Sequence, residues 1–96
     1  MATREVKINV SVIKEVRSMG VEYGRMRWAY ITAPSGEADK ELYAVEQFSI
    51  TIKNYCDSLA RKFTYKVGDW AYDDIHRVSA AYISLMKQNE REARNA

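Results

Sequence analysis

Ala33-Pro34-Ser35-Gly36 holds the only proline of a 96-residue chain and separates two apolar repeats of helical period. Upstream, Val12, Val16, Met19, Tyr23, Met26, Tyr30 and Ala33 recur at alternating spacings of four and three, the pattern of a helix that buries one stripe. Downstream, Ala38, Leu42, Val45, Phe48, Ile52, Tyr55, Leu59 and Phe63 keep the same spacings. Pro34 lacks an N–H and disfavours helical geometry at Ala33, so the first helix is predicted to stop there. Ser35 is the expected cap of the second helix. Glu37, Asp39 and Glu41 follow where the positive end of a helix dipole favours carboxylates. A connection this short makes the two helices antiparallel neighbours.

The second helix is predicted from about Glu37 to Phe63, with Arg61, Lys62 and Lys66 near its carbonyl-rich end. Gly68-Asp69 then reads as a stop and restart, with Asp69 capping a third helix. That helix places Ala71, Ile75, Val78, Tyr82 and Leu85 on one stripe and Asp73 and Asp74 in its first turn. After Met86 the apolar pattern ends, so residues 88–96, like residues 1–8, are expected to be loosely ordered. The expected fold is all-α: one domain over residues 1–96, built as a three-helix antiparallel bundle or a long hairpin plus a third helix.

Some segments also carry strand signals. Val6, Ile8, Val10 and Val12 alternate with polar residues and suit a strand as well as a helix start capped by Asn9 or Ser11. Trp28 to Thr32, Phe48 to Ile52 and Phe63 to Val67 are rich in β-branched and aromatic residues. The alternative fold is therefore α+β, with a hairpin over residues 21–53 and C-terminal helices.

Composition bounds function. The chain is 47% hydrophobic and 29% charged, as in a globular protein of one modest core. No apolar run reaches the roughly 18–20 residues of a membrane span, and the amino terminus lacks the layout of a signal peptide. A single cysteine, Cys56, excludes an internal disulfide and suits a reducing compartment. The expected location is the cytoplasm, or the host's cytoplasm if the chain is a phage accessory protein. Net charge is +2, distributed as +3 over residues 1–34 (six Lys/Arg against three acids), zero over 35–68 and −1 thereafter.

No residue set argues for catalysis, a metal or a cofactor. His76 with Asp69 and Asp73 gives convergent helical spacing, but zinc normally needs three or four ligands including Cys or His, and nothing completes the set. Cys56 sits beside the apolar stripe and reads as a small core residue. The four glycines form no phosphate-cradling loop. The expectation is a non-enzyme.

Aromatic residues are the surplus. Seven Tyr, two Trp and two Phe exceed what the stripes absorb, leaving Trp28, Tyr43, Tyr65, Trp70 and Tyr72 as interface candidates. Gly20 and Gly24, off the stripe, extend a small face with Ile13, Arg27 and Ile31 where another helix can approach closely. These residues point to a protein-binding module (adaptor, assembly factor or inhibitor) that pairs with itself, most simply as a dimer. The alternative is nucleic-acid binding through Arg25, Arg27 and Trp28 and through Arg61, Lys62, Tyr65 and Lys66. The pI of 8.7 falls below the roughly 9 of a dedicated nucleic-acid domain.

Overall fold

The computed structural model describes residues 8–95. They form three helices: α1 (Val10–Ile31), α2 (Ala38–Lys62) and α3 (Tyr65–Arg94). The all-α expectation holds, and every described segment that carried a strand signal is helical or part of a turn. The periodic stripes outweigh local β propensity because each helix buries a whole face against the other two. The strand-or-helix question for residues 4–7, and the expectation for residues 1–7 and 96, lie outside the described residues.

Asn9 caps α1 by accepting from the Ser11 N–H at 3.1 Å. At the other end Thr32 closes the helix, its N–H and hydroxyl both donating to the Trp28 carbonyl. Pro34 thus keeps Ala33 out of the helix as expected, but Ser35 does not cap α2. The N-cap is Glu37, without a side-chain cap bond, and its N–H donates to the Pro34 carbonyl at 3.0 Å. Gly36 makes this tighter corner with φ +97°, a conformation that side chains resist.

The second break differs more. It falls at Phe63-Thr64, not at Gly68-Asp69. Thr64 is extended and its hydroxyl accepts from the Val67 N–H at 3.2 Å, so α3 starts at Tyr65. Gly68 lies inside α3 for a packing reason. A β-carbon there would stand 2.8 Å from Ala60 Cβ and 2.9 Å from the Cys56 carbonyl. Asp69 is then an ordinary helical residue. At the far end α3 continues to Arg94 rather than loosening at residue 88, supported by Gln88–Glu92 and Arg94–Glu90 pairs one turn apart.

Each helix packs against the other two, most extensively α1 against α3. Tyr23 stacks with Phe48 at 6.0 Å between ring centres, which fixes α1 beside an antiparallel α2. Burial, and next the Glu15 carboxylate of α1, push the Tyr55 phenol of α2 above its ordinary value. Helices α1 and α3 run parallel and meet through glycine. A β-carbon on Gly20 would lie 2.6 Å from Val78 Cβ, and one on Gly24 would lie 2.8 Å from Tyr82 Cβ. Arg27 completes this seam by donating to the buried Ser79 hydroxyl at 2.9 Å. The close helix approach expected at the small face therefore occurs within the chain.

Val16, Ile52, Cys56, Leu59, Val67, Ala71 and Ile75 form the buried core, with Met19, Phe63 and Trp70 against it. Burial is concentrated in the first half of α3. Toward the Pro34 corner the stripes persist in sequence, but Met26, Leu42, Val45 and Met86 are only half-buried. Leu85, expected on the α3 stripe, is exposed, because the inner line of α3 runs Ala71, Ile75, Ser79 and Ile83. The inner line advances in steps of four, which drift around a 3.6-residue helix, so by Ile83 it has moved away from the face that Leu85 keeps.

Candidate functional site

The strip Tyr65, Asp69 and Tyr72 follows from where α3 begins, since positions separated by four and seven residues share a helix face. Opposite it α2 presents Lys53, Asp57 and Ala60 at the same spacings. Between the two strips runs an open groove of about 470 Å³. Its floor is Cys56, Ala60 and Gly68, small groups that let the helices come close. Its walls are the two strips. Tyr65 is 85% exposed and Tyr72 47% exposed, so the rings rise beside the groove rather than fill it. A shallower continuation past Tyr65 reaches Arg61.

Charge in the groove is mixed but ordered. Lys53 stands toward the Tyr72 end and Arg61 toward the Tyr65 end, with Asp57 and Asp69 between. Neither Asp57 nor Asp69 makes an ion pair among the described residues. Cys56 lies beneath them with its thiol pushed up to about 11, by burial first and by the Asp57 carboxylate second. A thiol held protonated at neutral pH is a poor nucleophile. The groove therefore offers rings, carboxylates and hydroxyls for binding.

The interface candidates scatter. Tyr65 and Tyr72 share the groove. Tyr43 is 65% exposed but lies ten residues before Lys53 on α2, about 15 Å along the axis. Trp70 packs against the core and Trp28 is half-buried. Gly20 and Gly24 are buried under α3, so no second chain can reach them.

The two basic–aromatic clusters do not merge either. Gly24 is level with Tyr82, while Lys66 is sixteen residues earlier on α3, so the clusters lie about 24 Å apart. Arg25 pairs with Glu22 at 3.1 Å, and Arg27 is committed to Ser79 and to the Tyr23 ring. Lys62 sits 5.6 Å over the Phe63 ring, and Arg61, Lys62 and Lys66 are exposed at the α2–α3 turn.

His76 is absorbed by aromatic packing. Its ring lies 4.3 Å from Tyr72 and edge-on to Tyr23 at 5.5 Å. Among the described residues no group of three or more His, Cys, Asp or Glu is placed to hold a metal. Asp74, 5% exposed, is a buried carboxylate that sequence reasoning assigned only to a helix start. It pairs with Arg77 one turn on. Lys53 and Asp57 carry no binding expectation in the sequence, and Asp69 enters it only as a helix cap and beside His76 and Asp73. Their signal was the matching four-and-seven spacing on two consecutive helices, legible only once the α3 start is known.

Comparison with protein-family models, with curated proteins and with solved structures finds no match.

Proposed function

We propose that this chain is a small non-catalytic protein-binding module whose contact surface is the α2–α3 groove. The observation that carries this reading is the exposure of Tyr65 and Tyr72 along the α3 wall of a groove with a small-residue floor. Large rings held with few rotatable bonds supply contact area at low entropic cost, and Tyr is enriched at interface hot spots. A tethered chain is expected to retain a protein partner from its native cells. The Tyr65→Ala/Tyr72→Ala variant should lose that partner by about tenfold or more while keeping its helical circular dichroism. Equal capture by both proteins overturns the reading.

A second reading keeps only half of its original support. Arg61, Lys62 and Lys66 are exposed with Tyr65 at the α2–α3 turn, a combination suited to phosphates and unstacked bases. Material retained by the wild type and released steeply by salt, with nucleic acid in the eluate, is the outcome that favours it.

Self-association belongs to the proposal with a changed seam. With Gly20 and Gly24 covered, Tyr43 and Ile50, seven residues apart on the outer face of α2 and 53% or more exposed, offer an apolar pair for a second copy. Light scattering at micromolar concentration is expected to give the mass of two chains, reduced to one by Ile50→Glu. A wild-type mass of one chain removes the dimer.

A further inference from the structure

The groove has a charge pattern that selects among partners. Helices α2 and α3 are antiparallel, and Gly68 lies against Ala60. Counting from that contact, Asp57 stands level with Ala71, so Asp69 is only about 3 Å from it along the axis. Two carboxylates thus face one groove from opposite walls at nearly one height, and neither has an ion-pair partner among the described residues. Tyr65 and Tyr72 stand about one turn to either side of Asp69 on the same wall. A carboxylate flanked by two exposed tyrosines, with a second carboxylate across the groove, suits a cation on an apolar stem, since the oxygens accept its N–H bonds and the rings cover the stem.

We propose that the α2–α3 groove binds a basic segment of a partner protein, with one Arg or Lys side chain held between Asp57 and Asp69 and its stem laid along Tyr65 and Tyr72. This rests on the protein-binding reading above and names the chemistry of the partner. Charge complementarity chooses this occupant. An acidic segment would meet both carboxylates at the centre of the groove, and a purely apolar one would bury them without a partner. Lys53 and Arg61, at the two ends, restrict the favourable stretch to the middle, so the segment needs one central cation rather than a run of them.

The test uses the full chain, isotope-labelled, titrated with peptides carrying one central Arg or Lys between glycines and with triglutamate as control, followed by amide chemical shifts. Shifts confined to residues around Asp57, Tyr65, Asp69 and Tyr72 are expected with the basic peptides and absent with triglutamate. Asp57→Asn/Asp69→Asn should weaken binding by about tenfold or more, since each lost charge-assisted bond removes a strong contact. Asp39→Asn/Glu41→Gln makes the same charge change at the other end of α2 and should leave affinity within about twofold. Asp39, Asp57 and Asp69 are exposed and Glu41 is half-buried, and unchanged circular dichroism verifies the folds. Shifts spread over acidic residues generally, equal loss in the control variant, or no shift in the groove overturn the proposal. A native partner that is lost by Tyr65→Ala/Tyr72→Ala but retained by Asp57→Asn/Asp69→Asn overturns the basic-segment proposal and leaves the protein-binding reading standing. A partner retained by both variants overturns the protein-binding reading itself.

Discussion

Gly20→Leu is expected to cost this protein about 3 kcal/mol or more of stability, the upper part of the range for overpacked interiors. The reason lies in what a side chain at Gly20 would meet. Val78 Cβ at 2.6 Å and the Ile75 carbonyl at 3.0 Å are attached to the α3 backbone, so no rotamer change moves them away. The whole of α3 must shift, and with it the Arg27–Ser79 bond across the same seam. Gly20→Ala is the sharper version of the test. Alanine raises helix propensity by about 1 kcal/mol over glycine, so an open position would be stabilised. Here overpacking of about 1–3 kcal/mol opposes that gain, and a net loss is expected. Each kcal/mol lowers the melting temperature of a chain this size by about 4–8 °C. Thermal unfolding followed by circular dichroism gives the answer. A raised melting point for Gly20→Ala would mean that α1 and α3 do not approach as closely as described.

The largest effect is expected of Ile52→Pro. Ile52 is fully buried near the middle of α2. Proline there removes one helical N–H bond and clashes with the carbonyl four residues earlier, for about 3 kcal/mol or more. Shortening a buried branched side chain adds a loss on the order of 1–3 kcal/mol. Together these approach the roughly 5–15 kcal/mol that holds a typical domain together. The variant should be largely unfolded at room temperature, with little helical circular dichroism and no cooperative urea transition. Ile50→Pro separates the two contributions, because Ile50 lies in the same stretch of helix with its side chain exposed. It should cost the backbone part alone. A cooperative transition for Ile52→Pro close to that of the wild type would argue against α2 as a continuous helix.

By itself the sequence favoured helices for α1 and α2 over a hairpin at residues 21–53, and determined that they turn back at Pro34 and that Val16, Ile52, Leu59, Ala71 and Ile75 face inward. These follow from spacing within single helices and from the covalent limits of proline, both of which act over a few residues. The α1 cap was narrowed to Asn9 or Ser11 for the same reason, and the structure takes Asn9. Tyr65 and Tyr72 were legible as rings that no stripe absorbs, which is half of the candidate site. Tertiary structure alone decided the rest. Gly68 carries the same local signal whether it ends a helix or clears space for Ala60 and the Cys56 carbonyl. Only the position of α2 distinguishes the two, and it moved the start of α3 back to Tyr65. Gly20 and Gly24 declared a close approach but not whose helix would make it, because a small face fits a second copy as well as α3. Lys53, Asp57 and Asp69 became a site only when two strips, each unremarkable on its own helix, were set side by side across the groove. A helix periodicity fixes which residues share a face. Which faces then meet depends on contacts between residues distant in sequence, and no local pattern encodes them.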